Sequence, residues 1–185
     1  MLNHKGTQTI ETRRLILRKF AAEDAEAMFR NWANDPEVTK YLTWPPHGNV
    51  DITKMLLENW VADYQKEDHY QWAIVLKENG PEPIGSMMAL CNNDIASAHV
   101  GYCIGKNWWH KGIMTEALQA VTDFLFDSVG VNRAEARHDP NNPNSGKVME
   151  KCGMRYEGTL RQADRNNQGI CDCCYYAILA QDRNP

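Results

Sequence analysis

The sequence predicts a mixed α/β domain of the α+β kind: a mostly antiparallel sheet of about seven strands with helices on both faces, in the order βααβββαβαββ. Three observations carry this expectation. Two helical patterns follow an opening strand pattern, a three-strand meander occupies the middle of the chain, and the longest amphipathic helix opens directly out of a glycine-bearing loop.

Residues 9–20 carry Leu15 and Leu17 among strand formers, and Ala21-Ala22-Glu23-Asp24 then opens a helix whose Ala25, Met28, Phe29 and Trp32 recur at helical spacing. Asp35-Pro36 stops it, because proline carries no amide proton and clashes with a preceding helical turn. A short turn runs through Tyr41, Trp44-Pro45-Pro46-His47-Gly48 reads as a loop, and Ile52, Met55, Leu56, Trp60 and Val61 mark a second helix.

Strand patterns follow at residues 71–77, 84–90 and 99–104, separated by the turn sequences Glu78-Asn79-Gly80-Pro81 and Asn92-Asn93-Asp94. Met114, Ala117, Leu118, Val121, Phe124 and Leu125 then form one helical stripe, with Gly130 placed to end it. A short strand at 133–137, a helix at 145–152 closed by Gly153, and strands at 154–160 and 171–179 complete the chain. No repeat or linker divides it, so residues 1–185 are expected to be one domain.

A chain of 185 residues with 43% apolar and 24% charged residues can bury roughly 70% of its unfolded surface and needs no staple. Its net charge of −4 argues against nucleic acid, whose phosphates call for clustered Lys and Arg. Met1-Leu2-Asn3-His4-Lys5-Gly6 lacks the apolar core of a signal peptide, and no apolar run reaches the ~18–20 residues of a membrane span, so the expected location is the cytoplasm, without a membrane partner. The six cysteines, Cys91, Cys103, Cys152, Cys171, Cys173 and Cys174, show no paired CxxC spacings and are expected as free thiols. Cys171-Asp172-Cys173-Cys174 is the one arguable metal ligand set, but neighbouring strand residues point to opposite faces, so no metal is expected.

The most informative stretch runs from Val100 through Gly105, Gly112 and Glu116 to Leu118. A strand enters a glycine-bearing loop that becomes a helix, and a helix N-terminus offers unpaired N–H groups and the positive end of the dipole. Phosphate suits that geometry. Neither GxxxxGK[ST] nor GxGxxG occurs here, which sets aside the P-loop and the dinucleotide fingerprint.

Trp109, Gly112 and Met114 stand at the three defined places of the Q/R-x-x-G-x-G/A motif of the GNAT acetyltransferases. The central glycine matches, the outer two positions depart, and the wording from Trp109 to Leu118 is similar to the ribosomal-protein N-terminal acetyltransferase branch. Residues 142–158, beginning Asn142-Pro143-Asn144-Ser145, resemble the N-x-x-S-x-x-V-x-E-K-x-G-F-x-x-E-G stretch of the same branch. Arg13 to Arg18 near the start and Asp172, Tyr176 and Leu179 near the end extend the resemblance over essentially the whole chain.

The resemblance implies a GNAT fold and acetyl transfer from acetyl-CoA to an amine, the first expectation being the α-amine of a protein or peptide N-terminus. A small-molecule amine or a non-catalytic acyl-CoA module uses the same cofactor site. It implies that strand backbone at Tyr102, Cys103 and Ile104 meets the pantetheine arm, that backbone N–H groups of His110, Lys111, Gly112, Ile113, Met114 and Thr115 hold the pyrophosphate, and that Trp109 at the motif's first place belongs to the same cofactor site. Asn142 and Ser145 would contact coenzyme A, with the serine as proton donor to sulfur; Met149 stands where many relatives carry a tyrosine donor. Lys147, Lys106 and Lys111 are secondary phosphate candidates. By analogy with the branch, a homodimer is a further expectation.

Direct attack of an amine on a thioester needs a neutral amine, a stabilised oxyanion and a proton for the thiolate. Asp164 falls where the branch carries a glutamate base, and His99 on the strand before the cofactor loop is a second candidate because its ordinary pKa suits proton transfer. Each residue also has a plainer role available: Ser145 as a helix N-cap, Asp164 as a loop acid, His99 as a packed side chain. Trp32, Trp44, Trp60 and Tyr64 lie close in sequence to Asp51, Glu58, Asp63, Glu67 and Asp68, a candidate acidic rim for a cationic acceptor.

Overall fold

The computed structural model describes residues 1–183. The chain runs β1 (Ile10–Glu11), β2 (Leu15–Arg18), α1 (Ala25–Met28), α2 (Pro36–Thr39), α3 (Val50–Asp63), β3 (Tyr70–Leu76), β4 (Pro83–Asn92), β5 (Ser97–Ile104), α4 (Ile113–Phe124), β6 (Arg133–His138), α5 (Pro143–Lys151), β7 (Arg155–Asn166) and β8 (Gly169–Leu179). The eight strands form one sheet in the order β1-β2-β3-β4-β5-β6-β8-β7. Every neighbouring pair is antiparallel except β5 and β6.

The expected opening strand at 9–20 is two short strands. Its break has a specific cause, since Thr12 Oγ1 and the Arg14 amide both turn toward the Glu116 carboxylate, at 2.6 and 2.9 Å, instead of continuing a ladder. The first helix is a composite of a 3₁₀ turn (Ala22–Asp24), α1 and a π turn (Phe29–Ala33). Asp35-Pro36 both stops it and starts α2: the Asp35 carboxylate accepts the Glu37 amide at 2.8 Å and Pro36 takes the first helical position, where its missing N–H costs nothing. Three helices therefore precede β3, not two.

Two further corrections bear on the site. Helix α5 begins at Pro143 for the same reason, which puts Ser145 inside the first turn and leaves Asn142 at the cap position. The strand expected at 154–160 continues to Asn166, with ladder irregularities at Tyr156/Gly158 and Leu160/Asp164, so Asp164 is a strand residue opposite Cys171 and not a loop acid.

Helices cover both sheet faces. One face packs Leu17, Trp72, Ile74, Val100 and Ala134 against Ile113, Leu118, Val121 and Leu125 of the α4 stripe and its continuation. Each such aliphatic side chain contributes about 1.5–3 kcal/mol on full burial. The other face is a smaller cluster in which Phe20, Met28, Trp32 and Leu57 close over Ala73. Trp32 is fully buried, so it is core. Asp51 and Asp63 of the suggested acidic rim are paired with Lys54 and Lys66. No helix among the described residues is long and apolar enough to cross a membrane.

The feature that positions the site is a fork in the sheet. β5 and β6 pair only from Ser97 to His99 against Arg133 to Glu135. Beyond that rung β6 continues with β8 and β5 with β4, so β5 from Val100 to Ile104 has no strand partner on its β6 side. Unpaired backbone N–H and C=O groups need partners from somewhere, and here they line an opening.

Candidate active site

The opening is bounded by the end of β5, the loop into α4, and the first turns of α5. Gly105 makes the exit from β5 possible: a Cβ there would lie 2.4 Å from the Asn31 carbonyl oxygen. His110 (φ 60°) and Gly112 (φ 71°) both adopt left-handed backbone, which turns the loop so that α4 starts abruptly at Ile113. The amides of Ile113, Met114 and Thr115 then have no helical acceptor and face the cleft with the positive end of the α4 dipole behind them. Trp109 fastens the loop to the strand, its indole N–H donating to the Ile104 carbonyl at 2.9 Å.

The cleft encloses about 420 Å³. Tyr102, Cys103, Ile104, Trp109, His110, Gly112, Ile113, Met114, Thr115, Asn142, Ser145 and Lys147 all line it. Lys111 does not; its carbonyl is held by the Arg14 guanidinium at 2.9 Å. Lys106 is turned away into ion pairs with Glu37 (3.2 Å) and Asp35 (3.7 Å). Sequence reasoning missed Lys151, which joins Lys147 one turn along the same face of α5, a spacing that could have revealed it. It also missed Tyr41 and Leu42, which reach the cleft from a distant loop that carries no local signal.

Ser145 engages Tyr102, whose hydroxyl lies 3.0 Å from the Ser145 carbonyl oxygen and 3.1 Å from its Oγ. The Cys103 thiol is pushed up to about 11 by burial and sits 3.3 Å from Ser86 Oγ, so it stays neutral at ordinary pH. All six cysteines are free.

His99 and Asp164 do not line the cleft. His99 lies three residues before Tyr102 on β5, hence on the other face of the sheet. It occupies the last rung before the fork, with Nδ1 3.9 Å from a Glu135 carboxylate oxygen. Burial lowers its pKa, the Arg137 charge lowers it further, and Glu135 and Asp164 oppose that shift. Asp164 is committed to Arg137 Nε at 2.9 Å and receives the Cys173 thiol at 3.6 Å. The fork thus has an imidazole of lowered pKa and an Arg–Asp pair on one face, and a serine–tyrosine pair on the other.

This arrangement fits an elongated thioester carrying phosphates. The unpaired β5 edge offers backbone partners to an amide-bearing arm, the α4 amides offer an anion cradle, and Lys147 and Lys151 offer positive charge beside it. A sheet forked beside such a cradle fits the acyl-CoA site that the resemblance to the GNAT acetyltransferases implies.

Comparison with known proteins agrees. Residues 14–155 match the acetyltransferase (GNAT) domain family. The chain is 32% identical to an uncharacterised N-acetyltransferase, p20, of Bacillus licheniformis, over 95% of this chain and 98% of that protein. A GNAT-family acetyltransferase from Bacillus anthracis superposes with a TM-score of 0.82 at 25% identity, covering 94% of this chain and 99% of that one. A shorter match, 34% identical and covering 34% of this chain and 32% of the relative, is to the ribosomal protein uS5 alanine N-acetyltransferase of Escherichia coli. The chain belongs to the GNAT acetyltransferase family and is an N-acetyltransferase.

Proposed function

We propose that this enzyme moves acetyl from acetyl-CoA directly to the α-amine of a protein or peptide N-terminus. The observation that carries the reading is the fork between β5 and β6, which gives one opening two chemically different faces. The thioester lies along β5 with its pyrophosphate on the α4 amides. Sulfur then falls beside Ser145, and the acceptor approaches the carbonyl from the His99 face.

His99 is the base. Its lowered pKa keeps the imidazole neutral at pH 7, ready to take the proton the amine loses as the C–N bond forms. Asp164, held by Arg137, orients that face and is not the proton acceptor. An α-amine of pKa ~8 is neutral at pH 7 roughly two hundred times more often than a lysine amine of pKa ~10.4, so one modest base suffices. The uS5 alanine N-acetyltransferase among its relatives supports the same acceptor class.

The test is thiol release from acetyl-CoA with unblocked peptides, the same peptides N-acetylated, and small polyamines or amino sugars. Turnover confined to unblocked peptides supports the reading; turnover confined to small amines overturns it. His99→Gln should lower kcat about a hundredfold and remove the acid limb of its pH profile.

A further inference from the structure

Tyr102 sits where β5 has left β6, and its hydroxyl has two acceptors within reach, both on Ser145. We propose that Tyr102 is a positioning residue for the leaving group: its hydroxyl fixes the Ser145 side chain so that the serine O–H is directed at the sulfur of coenzyme A. The proposal rests on the reading of this cleft as the acetyl-CoA site.

A phenol has one proton. When it goes to the Ser145 carbonyl alone, the serine can return its own proton to the tyrosine oxygen and nothing is left for the cleft. When the phenol shares its proton with Ser145 Oγ, the serine proton is released for a third partner. A developing thiolate favours the second arrangement, because a hydrogen bond to a charged acceptor is worth roughly twice one to a neutral acceptor. Without Tyr102 the hydroxyl of a residue in the first turn of α5 is free to rotate among its staggered positions. Met149, one turn further along α5, has no proton to offer.

The pair stabilises the thiolate without surrendering a proton to it. A thiol is a stronger acid than an alkanol or a phenol, and burial pushes the Tyr102 phenol further up. In the transfer step the amine nitrogen bonds to the acetyl carbon, the C–S bond breaks with its electron pair going to sulfur, and the amine proton goes to the base on the opposite face. Sulfur leaves as a thiolate held by Ser145 Oγ–H and takes its proton from solvent on release.

The experiment titrates the thiol of bound coenzyme A by its thiolate ultraviolet absorbance against pH, beside calorimetry for binding, in the wild type, Tyr102→Phe, Ser145→Ala and the double variant. The bound thiol is expected to titrate about one unit below that of free coenzyme A measured alongside it in the wild type, with either single variant restoring most of the difference and the double variant matching Ser145→Ala. A wild-type thiol that titrates at the free value, a Tyr102→Phe protein that titrates like the wild type, or a double variant that exceeds Ser145→Ala overturns the proposal. Absence of coenzyme A binding in the wild type, seen separately in the calorimeter, overturns the cofactor reading and the proposal with it. Should Tyr102→Phe fail to fold, 3-fluorotyrosine at position 102 keeps the shape with a stronger donor: a further fall in the bound thiol's pKa supports the proposal and an unchanged value refutes it.

Discussion

Arg14 and Glu116 lie 102 positions apart and meet at 2.6 Å, joining the bend between β1 and β2 to the first turn of α4. The same guanidinium donates to the Lys111 carbonyl at 2.9 Å, so one side chain ties down the loop whose amides face the cleft. The Glu116 carboxyl is held below its usual range: burial alone would raise it, but hydrogen bonds from Thr12 and Arg14, with the Arg14 charge, outweigh that effect.

Arg14→Ala should therefore act more on binding than on stability. A partly exposed ion pair contributes about 1 kcal/mol or less, which corresponds to a Tm loss of about 2–4 °C. The loosened loop should raise the calorimetric Kd for coenzyme A roughly fivefold, since ordering it becomes part of the binding cost. Unchanged affinity with a lowered Tm would show that the clamp serves the fold alone.

Gly146→Ala reverses the usual helix rule. Alanine in a helix interior normally stabilises by about 1 kcal/mol over glycine. Here the added Cβ would lie 2.6 Å from His138 Nε2, in a ring whose Nδ1 is 2.8 Å from the Asp139 carbonyl oxygen and whose centroid is 5.5 Å from that of Tyr176. The expected cost is about 1–3 kcal/mol by overpacking, read as a lower midpoint in urea unfolding, with partial recovery when His138→Ala is added. A single variant as stable as the wild type would contradict this geometry.

Lys147 and Lys151 should supply long-range attraction for the phosphates. Replacing both with alanine should weaken coenzyme A binding about tenfold at low salt, with the difference shrinking as ionic strength rises. A difference independent of salt would point to lost packing of the lysine stems instead.

Stability should fall on mild acidification. Burial lowers the pKa of His47, His69 and His99, so below the unfolded value of ~6.5 the unfolded chain takes up protons that the folded chain resists. The stabilising difference is complete above ~6.5 and is lost progressively as pH falls toward the folded values. Thermal unfolding scanned from about pH 8 to 5 should show Tm declining below about 6.5, less steeply in His99→Gln. A flat profile would remove the sign argued for these residues.

What the sequence made legible was local. The α4 stripe, Gly112 and the run from Asn142 to Ser145 are read within one turn or one strand of where they act: the stripe in the core, and Gly112 with Asn142 to Ser145 at the cleft. What it left illegible depends on pairs distant in the chain. The broken opening strand follows from Glu116, and the ion pair that holds Asp164 from Arg137 on another strand. Tyr102 was visible only as cofactor-contacting backbone, because nothing in β5 reveals that its hydroxyl ends at Ser145.

Calorimetric titration with acetyl-CoA tests the central claim, that the forked sheet and the α4 amides form its binding site. The account predicts one site per chain with micromolar affinity, about −8 kcal/mol, weakened in Arg14→Ala and in the double lysine variant. An absence of binding, or binding indifferent to both sets of substitutions, would contradict it.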